Sequence, residues 1–465
     1  MVRFVPVALA TVACLGFSPL WAVAQTAPGD DPLRISVEDG PAFARDLLRA
    51  GQPEAALQIL DVLLEADPAA TSVHLLRARA LMALGRPSEA RDAGRMAWRT
   101  AQSDAQKFSA AFTMADLLAA DEAYTRSQLW VRRALQVAPD EQRERLAVTA
   151  FRRVRQANPL AVELAFGVAP SDNVNSGNAN EAITFAYLPG TLSEIEWLVP
   201  ADQRPLSGVE VSAQGQVRYR ITEAQTYRTS LEFGGFGRTY IMSADAKEAA
   251  PDVTGASLSY AQLSFGVLHQ WTPQSTNRNY SASLTYSHDW AGGTPLRQDV
   301  NLTFGAQQFF ENDTRLSVLT SVRFSDRFLS DDVTTYALRG LWTRDFENGQ
   351  SLGLTGQLAV ATSDGTDQAY QAATVGVSYD FGDIGAGFDL RTSWTEQYRV
   401  YETSVFDPAG RDDTITTLRV DLGLQNMDFY GFEPVLNVTG RRTASSVPRF
   451  DTEGVQIGFD MRSSF

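Results

Sequence analysis

The stretch Val455-Gln-Ile457-Gly-Phe459-Asp-Met461-Arg-Ser-Ser-Phe465 puts Val455, Ile457, Phe459, Met461 and Phe465 on one face of an extended chain and Gln456, Gly458, Asp460, Arg462 and Ser464 on the other, because successive side chains of a strand point to opposite faces. A strand of a soluble sandwich alternates in the same way, so one strand decides nothing. The pattern recurs upstream. Leu418, Val420, Leu422 and Leu424 alternate with Arg419, Asp421 and Gln425, and Val300, Leu302 and Phe304 alternate with Asn301 and Thr303. Leu316, Val318, Val322 and Phe324 alternate with Arg315, Ser317, Ser321 and Arg323. Runs of about ten residues or more are long enough to cross a bilayer at a tilt. Their polar face then lines a wet lumen, and an exposed apolar band is acceptable only in lipid.

Strand starts with this period fall near residues 160, 207, 225, 254, 279, 297, 314, 334, 350, 369, 383, 413, 431 and 452. They predict a transmembrane antiparallel β-barrel of about fourteen strands over residues 160–465. Tight turns at Glu223-Ala224, 274–277, Asn312-Asp313, Glu347-Asn348, Gly382-Asp383 and 429–431 alternate with mostly longer connections, including 243–252, 402–411, 442–451 and, longest, 170–206. Bacterial barrels keep their periplasmic turns short and let the outer loops grow, so the asymmetry predicts an orientation as well as a count. Trp271, Trp290, Trp342, Tyr379 and Trp394 are placed near strand ends, as interfacial girdles require.

Composition shifts once, near residue 160, from Ala, Leu, Arg and Glu to Gly, Ser, Thr, Val and aromatics, which predicts a helical half followed by a β half. Met1-Val-Arg3, an apolar run from Phe4 to Leu20 and Ala22-Val-Ala24 before Gln25 read as a signal peptide over residues 1–24. Residues 25–39 read as a linker. Thr11-Val-Ala-Cys14 lacks the Leu that a lipoprotein cleavage box carries three residues before its cysteine. Cleavage after Ala24 removes that cysteine, leaving neither a disulfide framework nor a Cys-ligated metal site. Beyond the signal peptide no run approaches the roughly 18 to 20 apolar residues of a spanning helix. The net charge of −15 argues against nucleic acid, whose phosphates require a basic surface. The arginines between Arg132 and Arg155 alternate with Glu141 and Glu144 and read as a solvated helix face.

Residues 40–159 carry a repeat. Ala44, Leu47, Leu48, Gly51 and Ala56 recur 34 positions on (Ala44 to Ala78) as Ala78, Leu81, Met82, Gly85 and Ala90, the period of the tetratricopeptide repeat. Gly51 and Gly85 suit the turn between two helices, and the small Ala56 and Ala90 let the second helix approach the first. Asp67-Pro68 ends that pair. A looser unit spans 104–139, with Asp121-Glu122 where glycine is expected, and a last helix over 141–156 ends at Asn158-Pro159 as a cap. The stack predicts a periplasmic all-α domain whose concave face binds a peptide or protein rather than only bracing the barrel. His74 reads as a packed residue, not a ligand.

The first strand runs into Phe166-Gly-Val-Ala-Pro170-Ser-Asp-Asn173-Val-Asn175-Ser-Gly177, where Asn, Asp and Gly favour a structured turn. This segment resembles the "FG-x-x-P-x-x-N-x-N" pattern of the surface lipoprotein assembly modifier family, also known as the type eleven secretion system. Phe166, Gly167, Pro170, Asn173 and Asn175 stand at the matching positions, and Ser207-Gly208 opens the second strand. The resemblance covers nearly all the mature chain in architecture: signal peptide, tetratricopeptide domain, barrel of about fourteen strands. It implies an outer-membrane translocon that moves lipoproteins to the cell surface or releases soluble partners, with the repeats engaging the client protein. The terminal strand ending on Phe465 resembles the signal read by the barrel-assembly machinery, which implies that machinery as a partner during insertion into outer-membrane lipid.

Three histidines are present. Ser287-His288-Asp289 are consecutive on a strand, where neighbours point apart and form no triad. His269, beside Trp271, falls on the lipid-side parity. Glu210, Asp389, Asp421 and Asp460 share the lumen face with Arg218, Arg220, Arg391 and Arg462, which reads as charge compensation rather than acid–base catalysis. No glycine-rich phosphate loop opens a helix, so neither an enzyme nor a cofactor site is expected. An exopolysaccharide-export porin with a tetratricopeptide arm and a passive porin or adhesin are the alternatives. Sugar pathways favour aromatic stacking along the pore, whereas this polar face shows mainly Arg, Asp, Ser and Gln.

Overall fold

The computed structural model describes residues 36–185, 195–407, 409–424, 427 and 432–463. The signal peptide with Cys14, the start at Gln25, most of the linker, Gln425, the turn at 429–431, Ser464 and Phe465 lie outside the described residues.

Seven helices come first: α1 (Gly40–Arg49), α2 (Pro53–Ala66), α3 (Thr71–Ala83), α4 (Pro87–Thr100), α5 (Asp104–Ala120), α6 (Tyr124–Gln136) and α7 (Glu141–Ala157). Each packs on the next. The repeated alanines Ala44, Ala56, Ala78 and Ala90 are fully buried with Leu60 and Leu81 in one core, and Phe108, Val131, Ala147 and Phe151 form a second. Burying each large apolar side chain stabilises the arm by about 1.5–3 kcal/mol.

The turns show why glycine recurs. Gly51 and Gly85 take φ of +72° and +69°, a left-handed conformation that suits glycine. The Gly51 N–H donates to Leu48 O and the Gln52 N–H to Leu47 O, and the Gly85 and Arg86 amides repeat the pattern on Met82 and Leu81, closing each helix in a Schellman motif. The third unit makes the same turn without glycine: Glu122 has φ +56°, and the Glu122 and Ala123 amides donate to Ala119 O and Leu118 O. Its α5 is longer than α1 or α3, so the counterpart of Ala56 and Ala90 is Ser127, fully buried. The Ser127 hydroxyl donates to Ala115 O at 2.8 Å, so a polar side chain occupies the close-approach position.

Fourteen antiparallel strands then close on themselves, the number expected from the sequence. They are β1 (Leu160–Ser171), β4 (Gly208–Glu223), β5 (Tyr227–Met242), β6 (Tyr260–Trp271), β7 (Arg278–Ala291), β8 (Thr294–Phe309), β9 (Thr314–Arg327), β10 (Val333–Asp345), β11 (Ser351–Thr362), β12 (Tyr370–Asp383), β13 (Phe388–Tyr401), β14 (Arg411–Leu424), β15 (Phe432–Ser445) and β16 (Thr452–Ser463). Each pairs with its sequence neighbour in the barrel, and β1 also pairs with β16. A separate hairpin, β2 (Ala182–Phe185) with β3 (Ile195–Leu198), and a short helix, α8 (Ala244–Ala249), sit in the connections. Connections at the end nearest α7 are short, and those at the far end are mostly long. Gly292-Gly293, with φ of +57° and +80°, is the far-end exception, turning β7 into β8 in two residues.

Val300, Phe304, Val318, Phe324, Leu418, Val455, Ile457 and Phe459 are exposed on the outside of the cylinder. No described helix is long and apolar enough to cross a membrane. A closed barrel with an exposed apolar belt fits an outer-membrane protein. Trp271 stacks on Tyr280 at the arm end, and Trp290 lies 4.2 Å from the His288 ring at the far end. Trp394 differs from its expected place: it falls midway along β13. Glu396 also breaks the pattern. Register sets it opposite Val375 and Thr416 on the outer face, where it accepts from the Thr416 hydroxyl at 2.9 Å.

Candidate functional site

Three regions converge on one route through the molecule: the arm, its joint with the barrel, and the far mouth. In the arm, α3 touches both α1 and α5, which places the odd-numbered helices along the inner curve. Asp116 on α5 sits above the usual carboxylate range because partial burial outweighs the pull of Arg153 on α7 and Arg79 on α3. The inner curve thus sets the Asp116 carboxylate near Arg79 and Arg153. His74 is buried with Nε2 2.9 Å from Pro68 O, a packed residue tied to its own turn.

The joint is built from main-chain oxygens that helix termini leave open. Arg220 of β4 donates to Gln156 O at 3.0 Å and Ala157 O at 2.9 Å at the end of α7, and a cation there also meets the negative end of the helix dipole. Asn158 is buried; its amide donates to Gln128 Oε1 at 2.7 Å and Thr125 Oγ1 at 3.2 Å, and its Oδ1 accepts from the Leu160 N–H. Arg155 faces Glu163 at 3.7 Å, and Arg132 donates to Ser463 at 3.5 Å. The last two helices are thus tied to β1, β4 and β16.

At the far mouth, Asn173 donates to Gly177 O and Glu453 O and accepts from the Gly177 N–H. Asn175 donates to Asp202 O and Arg204 O and accepts from the Leu206 N–H. A side chain on Gly177 would run into the Arg204 carbonyl. Asn178, nearly fully buried, donates to Pro448 O, and Asn180 to Asp451. The loop after β1 is thereby stitched to the β15–β16 connection. Val174 and Leu206 pack on Tyr240, Met242 and Ala246. Tyr240 and Met242 lie on the inward face of β5, so this loop folds over the lumen side of the rim.

The other singled-out residues divide. Ser207 Oγ lies 2.7 Å from Ser243 Oγ, and the Ser243 hydroxyl caps α8. Gly208 packs close to the Ile241 carbonyl and Val174, where a side chain would collide. Pro170 lies where the β1–β16 ladder is interrupted: the register runs from Ala165↔Arg462 to Val168↔Phe459 and resumes at Ser171↔Gln456, since proline has no N–H to give. Phe166 and Gly167 stand lower on β1, away from the loop. Phe166 is half exposed on the outside, and Gly167 faces inward, where an added Cβ would come within 2.7 Å of both Asp460 Oδ1 and Ser212 Oγ.

Inside the lumen the charges pair both across neighbouring strands and along single strands. Glu232 takes Arg218 at 2.7 Å, Glu210 faces Arg238 at 3.9 Å, and Arg391 binds Asp380. Asp421 and Asp460 share Arg419 and Arg462. His288 points outward beside Trp290, whereas Asp289 is fully buried inside, bound by Arg297, Tyr260 and Gln262, so Ser287, His288 and Asp289 do not converge. Sequence reading missed the aromatic lumen pairs Phe236–Tyr260 and Tyr370–Tyr401, with ring centroids 6.0 and 5.4 Å apart. Alternation along β5, β6, β12 and β13 carries their signal. Arg411 at the far end was missed too. It binds Asp367 at 2.7 Å and Asp413 at 3.2 Å and lies over the Tyr401 and Phe450 rings.

Residues 47–111 match the tetratricopeptide repeat model. No curated protein matches the chain. Among solved structures, the first tetratricopeptide domain of human RPAP3 is similar at 17% identity and a TM-score of 0.24, covering 26% of this chain and 91% of that one. The Yersinia enterocolitica type III secretion translocator chaperone SycD is similar at 14% identity and 0.24, covering 26% and 88%. The TPR2B domain of yeast Sti1, solved as a pHsp70 complex, is similar at 15% identity and 0.24, covering 26% and 96%. The tetratricopeptide arm and the closed barrel together fit an outer-membrane protein that engages protein partners.

Proposed function

We propose that this chain is an outer-membrane protein exporter of the surface lipoprotein assembly modifier kind. In this reading the arm stands in the periplasm, takes hold of a client protein along its inner curve, and delivers it to the barrel for passage or surface display. The observation that carries it is the joint: Arg220 of β4 holds the end of α7, and Asn158 links α6 to the start of β1, so a partner bound in the curve is held beside the entrance. The same reading assigns transport and no catalysis. Deleting the gene and comparing surface-exposed and released proteins with the parent strain tests it. Loss of one or two specific proteins supports export; an unchanged protein profile with lost matrix sugar overturns it.

The inward aromatic pairs Phe236–Tyr260 and Tyr370–Tyr401 favour a second reading, an exopolysaccharide-export porin, since sugar rings stack on aromatic faces. Loss of matrix sugar in the same experiment is its signature.

A further inference from the structure

We propose that the lumen wall formed by β9 to β13 is an oxyanion-binding surface. Most lumen arginines already have a carboxylate: Arg297 binds Asp289 at 2.8 Å, Arg315 binds Asp345 at 3.1 Å, and Arg462 binds Asp460 at 2.7 Å. Arg323 and Arg327 on β9, Arg339 on β10 and Arg399 on β13 are different. All four take inward positions, and among the described residues none has an ion-pair partner.

The strand pattern explains why. Along the inward positions of β9 to β13 the carboxylates are confined to the arm end, at Asp345, Asp380, Asp383 and Asp389, where Arg315 and Arg391 take the first two. Above that rung the wall carries serine, threonine, glutamine, tyrosine and arginine among Leu319, Ala337, Ala359 and Ala372, and the nearest carboxylates, Asp299 of β8 and Asp413 of β14, are held by Arg297 and Arg411. Arg323 and Arg339 line one cavity of about 340 Å³ together with Ser321, Thr335, Gln357 and Gln397. Arg399 borders it. Its guanidinium lies 4.7 Å over the Tyr370 ring and donates to Gln397 Oε1 and Tyr401 Oη, both at 2.7 Å. The Nε atoms of Arg399 and Arg327 are buried without a hydrogen-bond partner.

Like charges gathered on one wall repel, and an anion relieves both the repulsion and the unused donors. Guanidinium groups suit phosphate and carboxylate oxygens best. The cavity has room for a small multivalent oxyanion. Its ligand chemistry is therefore that of clustered phosphate or carboxylate oxygens, supplied by a free polyanion or by an acidic segment of a polypeptide. The proposal does not rest on export and needs no client.

The test is calorimetric titration of the full chain in neutral detergent with pyrophosphate and, separately, with hexaglutamate. Binding of at least one probe is expected, weakened about tenfold or more, equivalent to about 1.4 kcal/mol, by Arg323→Gln combined with Arg339→Gln. Arg315→Gln, whose partner is Asp345, leaves the affinity unchanged, and Arg323→Lys with Arg339→Lys restores part of it. Heat-modifiable electrophoretic mobility confirms that each variant is folded. Pyrophosphate binding identifies a small-anion site; hexaglutamate binding alone identifies a site for acidic chains. A parent protein that binds neither probe, or a glutamine variant that binds as tightly as the parent, overturns the proposal.

Discussion

The guanidinium of Arg220 donates to the main-chain oxygen of Ala157 at 2.9 Å, so a barrel strand caps the last helix of the arm. Arg220→Ala leaves the Gln156 and Ala157 carbonyls to water and removes a cation from the helix terminus, a loss of about 1–2 kcal/mol at the joint. Limited proteolysis is expected to cut several-fold faster around Pro159, while the heat-modifiable mobility of the barrel stays unchanged. An unaltered cleavage rate means that Asn158 and Arg155 hold the joint by themselves.

Glu122 and Gly85 predict substitutions of opposite sign. Both occupy left-handed positions, φ +56° and +69°, where a side chain is strained by roughly 1 kcal/mol. Glu122→Gly is expected to stabilise the arm by about 0.5–1 kcal/mol, and Gly85→Ala to destabilise it by about 1 kcal/mol. Thermal unfolding of the full chain followed by helical circular dichroism measures both; equal shifts in one direction refute the turn assignment.

Asn175→Ala strips hydrogen bonds from Asp202 O, Arg204 O and the Leu206 N–H. The far-mouth loop is expected to lose about 1–3 kcal/mol. Amide exchange between residues 173 and 206 should rise by tenfold or more while β8 to β11 exchange as before. A rise shared by the whole barrel assigns Asn175 to global folding instead.

Asp140 caps α7: its carboxylate accepts from the Arg143 N–H at 2.8 Å, and this bond, with the nearby Arg143 charge, holds its pKa below the usual carboxylate value. A depressed folded pKa contributes stability that is present above the unfolded value of about 3.9 and lost as pH falls through the folded value. The helical transition of the parent should therefore drop faster below pH of about 4 than that of Asp140→Asn, which keeps a cap without the charge. Parallel pH profiles exclude Asp140 as a contributor.

The fourteen strands were legible because lipid and lumen impose opposite polarities on alternate residues, as Ile457 and Asp460 show. Glu396 was not, because a carboxylate on the outer face contradicts that rule and only the register beside Val375 and Thr416 reveals it. The first two helical pairs announce themselves through glycine and alanine. Ser127 is hidden because the longer α5 shifts it out of the 34-residue spacing (Ala56 to Ala90), although it occupies the same buried position. In the lumen, sequence gives the position of each charge along one strand, whereas its partner depends on the stagger between strands; hence Glu210 meets Arg238 and Arg391 meets Asp380. β2 and β3 lie in the β1–β4 connection and α8 in the β5–β6 connection; the two meet where Val174 and Leu206 of the first pack with Ala246 and Ala250 of the second on Tyr240 and Met242, a long-range contact that neither segment shows by itself.

The gap in the ladder beside Pro170 gives the cylinder a front and a back. Parting β1 from β16 would give up the rungs from Ala165↔Arg462 to Val168↔Phe459, the one at Ser171↔Gln456 and the Asp172–Val455 bonds just beyond it among the described residues, whereas every other junction is a nearly continuous zipper. Above the gap, the Asn173 bond to Glu453 O and the Asn178 bond to Pro448 O cross the same junction like a clasp over a short fastener. The asparagines that order the far loop thus also hold shut the wall that is easiest to unfasten.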